Sequence, residues 1–208
     1  MILTNIPSSV TIVAATKTRS TEVISAYCAS VVASHIGENY VQEWESKHDK
    51  VKGAPIKHLI GHLQSNKAKK AVELFDVIQS IDSVKIAEAV AKEASKINKV
   101  QAVMIQVNIS EDEKKSGTAT DSINQLIEKI ISNKNLKLVG LMCITAAYSN
   151  QEDTRKDFKK MFELYSAVKN KYKFPEFQLS MGMSSDYELA ISEGSTMVRL
   201  GTVLFGSR

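Results

Sequence analysis

The chain predicts an α/β fold, a single (β/α)8 TIM barrel, with a doubly wound open sheet as the alternative. Short β-rich apolar runs alternate with longer stretches whose apolar residues recur at helical spacing, from one end of the sequence to the other. Several of the short runs are apolar on both faces, as parallel strands covered by helices must be. Every connection except that between the first two runs is long enough for a helical crossover.

Taken in order, TIVAAT (11–16), VVASHI (31–36) and KHLIG (57–61) are the first three expected strands. Ala68, Ala71, Val72 and Phe75 then share one face of a helix, followed by the strand VIQSI (77–81). Ile86, Val90, Ala94 and Ile97 form the next stripe, and AVMIQVNI (102–109) the next strand. The clearest helix covers residues 121–132, where Ile123, Leu126, Ile127, Ile130 and Ile131 build one buried stripe. LKLVGLMCI (136–144) is a strand, and Phe158, Met161, Phe162, Tyr165 and Val168 mark another helix. FQLSM (177–181) runs into a glycine, after which Ser184, Ser185 and Asp186 open a helix with Ser185 and Glu188 spaced as a capping box. MVRLGTVLF (197–205) completes a count of about eight strands.

Residues 1–208 read as a single domain: 43% are hydrophobic, no linker interrupts them, and Pro7, Pro55 and Pro175 all lie outside the expected elements. A formal charge of +4, from 27 basic against 23 acidic residues, falls short of a dedicated nucleic-acid binder. The lysine-rich stretches at 67–70, 155–160 and 169–173 read as solvated helix faces. No run approaches the roughly 18 to 20 apolar residues of a membrane span, and the first residues lack a basic region followed by an apolar one, so a cytoplasmic protein with no membrane partner is expected. Cys28 and Cys143 lack metal or CxxC spacing and read as reduced core thiols.

In barrels and open α/β sheets, ligands sit beyond the carboxyl ends of the strands. Lys17 directly follows the first strand, where a partly desolvated amine can serve as a Schiff-base nucleophile; an ordinary solvated lysine is the plain alternative. The helix start at Ser184 to Asp186, and the pair Gly201 and Thr202 near the same mouth, suit an anion such as phosphate. Arg199 stands in an apolar strand and needs a partner, either a carboxylate such as Glu38 or Asp82 or a bound heterocycle. His58 and His62 are spaced i, i+4 without an HExxH glutamate, which argues against a metal site, and no GxSxG, P-loop or GxGxxG occurs.

Six stretches together carry a family resemblance that runs from VAATKT to FGSR: Thr16-Lys17-Thr18, GENYVQE (37–43), HLIGHLQSNK (58–67), SIDS (80–83), SMGMS (180–184), and RLGT (199–202) with Phe205-Gly206. The chain resembles the YggS/PROSC family of pyridoxal-phosphate homeostasis proteins. The resemblance implies a barrel like the N-terminal domain of alanine racemase, holding pyridoxal 5′-phosphate (PLP). It maps the Schiff-base lysine onto Lys17, the phosphate cradle onto Ser180, Gly201 and Thr202, and the arginine facing the pyridine nitrogen onto Arg199. Asn39 and the pair Ser65-Asn66 are weaker carry-overs that shape or touch the pocket.

An arginine at the ring nitrogen damps carbanion chemistry, and the C-terminal β domain that supplies a second base in the related racemases is expected to be lacking. The expected function is therefore PLP homeostasis without dedicated catalysis, with transient contact to PLP-dependent apoenzymes and a monomeric state. The alternative is a minimal racemase-like enzyme using Lys17 and an internal base such as Tyr40 or His62. Three departures from the family accompany this reading. Only about ten residues precede the first strand where members carry a helix, so the seam between first and last strands is expected to show an apolar groove or a compensating contact. Arg19 stands where a second lysine is common, and the chain ends without the short tail that could form a basic lid.

Overall fold

A computed structural model describes residues 6–31, 34–53, 55–112 and 114–206, and in it eight parallel strands close into a barrel in sequential order. The elements are β1 (Thr11–Ala15), α1 (Thr21–Ser30), β2 (His35–Glu38), α2 (Val41–Lys47), β3 (Ile56–Leu59), α3 (Ala68–Leu74), β4 (Val77–Ile81) and α4 (Val84–Lys96). They continue with β5 (Gln101–Val107), α5 (Ile123–Ile131), β6 (Leu136–Cys143), α6 (Gln151–Tyr172), β7 (Gln178–Met183), α7 (Tyr187–Ser192), β8 (Met197–Leu200) and α8 (Thr202–Phe205). Closure is the pairing of β1 with β8, in which Val13 stands opposite Arg199 and Ala14 opposite Leu200. No described helix is long and apolar enough to cross a membrane.

Local chemistry starts the helices where the apolar stripes begin. The Ser20, Ser83 and Asn150 side chains each accept a hydrogen bond from the backbone N–H three residues on, at the heads of α1, α4 and α6. The stripes then bury Phe75, Val90, Leu126, Ile127, Phe158 and Met161 between helices and sheet. A second group, Val13, Ile60, Met104, Met142 and Met197, packs inside the barrel.

Four expectations are corrected. The connection between the first two strands carries α1, and β2 begins at His35 rather than residue 31; Val31 is the extended residue that ends α1, 42% exposed, and residues 32–33 lie outside those described. The last strand stops at Leu200, because the N–H groups of Leu204 and Phe205 bond back to the Gly201 carbonyl and wind 202–205 into α8. The Ser185–Glu188 capping box does not form: α7 starts at Tyr187 after Asp186, whose Oδ1 instead accepts from the Met183 N–H at 2.6 Å. Ile97, Ile131 and Phe162 belong to their stripes by spacing but are 49%, 47% and 41% exposed. The first two sit at helix ends, and Phe162 lies flat against Gly194, where a Cβ would come within 2.5 Å of its ring.

At the seam, α1 meets α8: Tyr27 packs edge-on to Phe205 with ring centroids 5.7 Å apart, and the Arg19 guanidinium donates to the Gly206 carbonyl at 2.6 Å. The expectations that concern the first five residues and the last two lie outside the described residues.

Candidate cofactor site at the barrel mouth

Barrel closure brings together side chains far apart in sequence. Lys17 follows β1, Arg199 lies on β8, and Ser184 follows β7, so all three belong to neighbouring strands. They line a solvent-open cavity of about 550 Å³ with Ala15, Arg19, Gly201 and Thr202. A larger cavity of about 840 Å³ adjoins it through Met183, Ser184 and Ser185 but contains neither Lys17 nor Arg199. We place the candidate chemistry in the smaller one, because it holds the Lys17 amine and the buried Arg199 cation.

Lys17 makes no hydrogen bond or ion pair among the described residues, while the backbone on both sides of it is held tightly. The turn from Thr16 to Arg19 closes through a 3.1 Å bond from the Arg19 N–H to the Thr16 carbonyl. Thr18 adopts φ 63°, a left-handed conformation unfavourable for a β-branched residue. Two residues of α2 clamp that turn. The Glu43 carboxylate accepts from the Thr18 N–H at 2.6 Å, and the Lys47 ammonium donates to the Thr16 carbonyl at 3.1 Å. Lys47 also meets Glu43 at 2.9 Å and the buried Glu38 at 2.7 Å, so its three N–H donors have three acceptors. Burial pushes the Glu38 carboxyl up, while Lys47 and Thr16 pull it back.

Arg199 has no carboxylate partner among the described residues; the expected bridge to Glu38 or Asp82 does not form, since Glu38 pairs with Lys47 and Asp82 with His62. Its guanidinium donates to the Ser180 carbonyl at 2.9 Å, the Ser180 hydroxyl at 2.7 Å and the Cys143 carbonyl at 2.8 Å. A guanidinium carries five N–H donors. Two therefore lack an acceptor among the described residues, on a side chain that is 4% exposed and lines the cavity. Burial draws its pKa below the usual guanidinium range.

The loops after β7 and β8 are tied together by the Ser184 hydroxyl oxygen, which accepts from the Gly201 N–H at 3.0 Å. Gly182, at φ 94°, makes the turn into this loop possible: a Cβ there would fall 2.5 Å from that of Ala190. Gly201 and Thr202 thus sit in the cavity beside Ser184 and Ser185.

Ser180 is elsewhere. It is fully buried inside the barrel beneath Arg199, and its hydroxyl donates to Gln79 at 2.8 Å. Asn39 is half-buried past β2 and does not line the cavity; its carbonyl oxygen would lie 2.1 Å from a Cβ at Gly61, so the two loops touch at backbone level. Ser65 and Asn66 are exposed in a short 3-10 turn. Tyr40, 64% exposed, and His62, paired with Asp82 at 3.2 Å, also lie outside the cavity lining. Cys28 and Cys143 are free thiols, Cys28 half-buried and Cys143 buried. Burial pushes the Cys143 thiol up to about 12. Among the described residues no group of three His, Cys, Asp or Glu side chains could hold a metal.

Sequence reasoning offered Ser184 from its place at a helix start and Ser180 from the family resemblance as phosphate contacts, and missed Glu43, Lys47 and Gln79. Ser184 had a signal, since it is the serine beyond the strand's carboxyl end. Glu43 and Lys47 had half of one, an i, i+4 pair on a helix, but their targets in the turn after β1 are not visible in the sequence.

The sequence profile of the alanine racemase N-terminal domain matches residues 2–208. Pyridoxal phosphate homeostasis proteins of Aquifex aeolicus and Synechocystis are 41% and 37% identical, over 83% and 100% of this chain and 76% and 95% of their own length. The solved structure of PipY from Synechococcus elongatus, which has PLP bound, superposes with a TM-score of 0.89 at 32% identity, covering 97% of this chain and 95% of PipY. Clostridium difficile alanine racemase shares the fold, with a TM-score of 0.76 at 13% identity, and this chain covers 54% of its length.

Proposed function

The chain belongs to the alanine racemase N-terminal-domain family and, within it, to the pyridoxal phosphate homeostasis proteins, and from that membership we propose that it binds PLP at the barrel mouth as a carrier or buffer. The observation that carries this reading is the cavity itself, where one unpartnered amine, one guanidinium with two unused donors and two hydroxyl-rich loops converge. Those are complementary to an aldehyde, a pyridine nitrogen and a phosphate respectively. When bound, PLP supplies an aldehyde that condenses with a primary amine to a Schiff base with loss of water.

Lys17 provides that amine, and the Glu43 and Lys47 clamp orients it by holding its backbone on both sides. Arg199 remains a cation at neutral pH and donates to the ring nitrogen without surrendering its proton, which keeps the ring a weak electron sink. Ser184 and Thr202 offer hydroxyl donors to the phosphate, Gly201 shapes the loop beside them through its N–H bond to Ser184, and Ser180 acts beneath the site by holding Arg199. Neither candidate second base, Tyr40 or His62, lines the cavity, which favours holding and releasing PLP over racemisation. The recipients are PLP-dependent apoenzymes, met transiently by a cytoplasmic monomer.

Two measurements test this reading. Adding PLP should raise a visible absorption band, and borohydride should then fix the cofactor covalently on Lys17, with no adduct in Lys17→Ala; a wild-type protein without the band would remove the cofactor assignment. Deuterium exchange at Cα of a panel of amino acids should stay at the level of free PLP. Robust, Lys17-dependent exchange would replace the carrier with an enzyme.

A further inference from the structure

Barrel interiors are normally packed with apolar layers, and a buried polar group is costly unless hydrogen-bonded. This interior instead contains a continuous polar chain drawn from five strands. The Arg199 guanidinium on β8 donates to the Ser180 hydroxyl on β7 at 2.7 Å, and that hydroxyl meets Gln79 Oε1 on β4 at 2.8 Å. Gln79 Nε2 meets His58 Nδ1 on β3 at 2.8 Å, and His58 Nε2 meets His35 Nδ1 on β2 at 2.9 Å. Ser180 and Gln79 are fully buried, and His58 is 2% exposed.

The donors along this chain have only one consistent direction. A guanidinium can only donate, so the Ser180 oxygen accepts from Arg199 and its proton goes on to Gln79 Oε1. The other end of that amide is nitrogen, which also can only donate: one hydrogen faces His58 and the second faces the Met197 sulfur at 3.2 Å. Turning the amide round would leave the Ser180 proton without an acceptor. His58 Nδ1 therefore carries a lone pair and Nε2 carries the hydrogen, which is given to His35 Nδ1. Burial supports the neutral ring, pushing the His58 pKa down to about 3, with His35 adding to the effect.

We propose that Gln79 is a positioning residue for the cofactor site: by taking the Ser180 proton it fixes Ser180 as an acceptor for Arg199, and so sets the direction of the remaining guanidinium donors, one of which is left for a ring nitrogen. This rests on the PLP reading above. Gln79 does not line the cavity, and its hydrogen bond to Ser180 connects it to Arg199, which does.

The test has one arm without cofactor and one with it. In the apo protein at neutral pH, long-range 15N–1H spectra should show His58 and His35 both as Nε2–H tautomers. In Gln79→Glu, whose carboxylate needs a donor, His58 should convert to the Nδ1–H form. With PLP, Gln79→Leu and Ser180→Ala should each bind roughly tenfold more weakly, the scale of one hydrogen bond to a charged group. Both should shift the bound cofactor's absorption band, and Ser180→Thr, which keeps the hydroxyl, should recover parent affinity and band. An Nδ1–H His58 in the parent overturns the proposal even if no variant folds. So does parent-like affinity and band in folded Gln79→Leu and Ser180→Ala. A parent that gives no band with PLP defeats the cofactor reading and this role with it, and the apo tautomers then tell that failure from a broken chain.

Discussion

At the residue scale, the site depends on a lysine that never reaches the cavity. Lys47 neutralises Glu38, whose carboxylate is 1% exposed; its Oε1 accepts from Lys47 and Thr16, and its Oε2 has no hydrogen-bond partner among the described residues. Removing one member of a buried pair leaves the other charge uncompensated, at a cost of about 3–5 kcal/mol. Lys47→Met should therefore destabilise the protein by about 3 kcal/mol at neutral pH. The loss should shrink on acidification, because a carboxyl whose folded pKa is raised destabilises the fold as pH rises through the window between its unfolded and folded values. Urea unfolding of variant and parent at pH 7 and pH 5 measures this; a difference that does not change between the two would mean that removing Lys47 leaves the ionisation of folded Glu38 as it is in the parent.

At the scale of elements, α2 and the turn after β1 act as one unit. The left-handed Thr18 carries strain of about 1–2 kcal/mol, and its N–H bond to Glu43 holds it there. Glycine removes the strain but adds chain entropy to the unfolded state, so Thr18→Gly should raise stability slightly, by under about 1 kcal/mol. Thr18→Pro has neither the required φ nor the N–H, and should lose about 3 kcal/mol and the borohydride adduct together. Thermal melts of the two variants check the opposite signs, and a stabilised proline variant would refute the clamp. The α/β alternation and nearly all strand centres were legible because parallel strands and amphipathic helices leave distinct apolar periods. The first connection and the last strand were misjudged. Val31 and the run TVLF have strand composition, yet Val31 ends a helix and the Gly201 carbonyl winds 202–205 into another.

For the whole molecule, the buried histidines link stability to pH. His58 stays neutral in the fold, with a pKa near 3, whereas an unfolded histidine takes up a proton near pH 6.5. Below that pH the unfolded chain binds a proton that the folded chain refuses, so stability falls as pH drops toward 3. His58 alone should remove about 2 kcal/mol between pH 7 and pH 5, and His35, also lowered by burial, adds to the loss. Glu38 opposes this only between 4.5 and its raised value. Chemical denaturation across that range measures the sum, and a flat profile would mean that the core histidines ionise in the folded protein. The sequence by itself determined the βα alternation that favours a barrel, the place of Lys17 just past the first strand and of Arg199 within the last, and the family resemblance, because periodicity and motif strings are local. Only the tertiary structure decided that Ser180 lies inside and Ser184 outside, that Arg199 meets Ser180 and a Cys143 carbonyl rather than Glu38 or Asp82, and that His35, His58, Gln79 and Ser180 form one chain. Those outcomes depend on which strands closure makes neighbours and on where each donor finds its acceptor across the barrel, and neither is a property of any one segment.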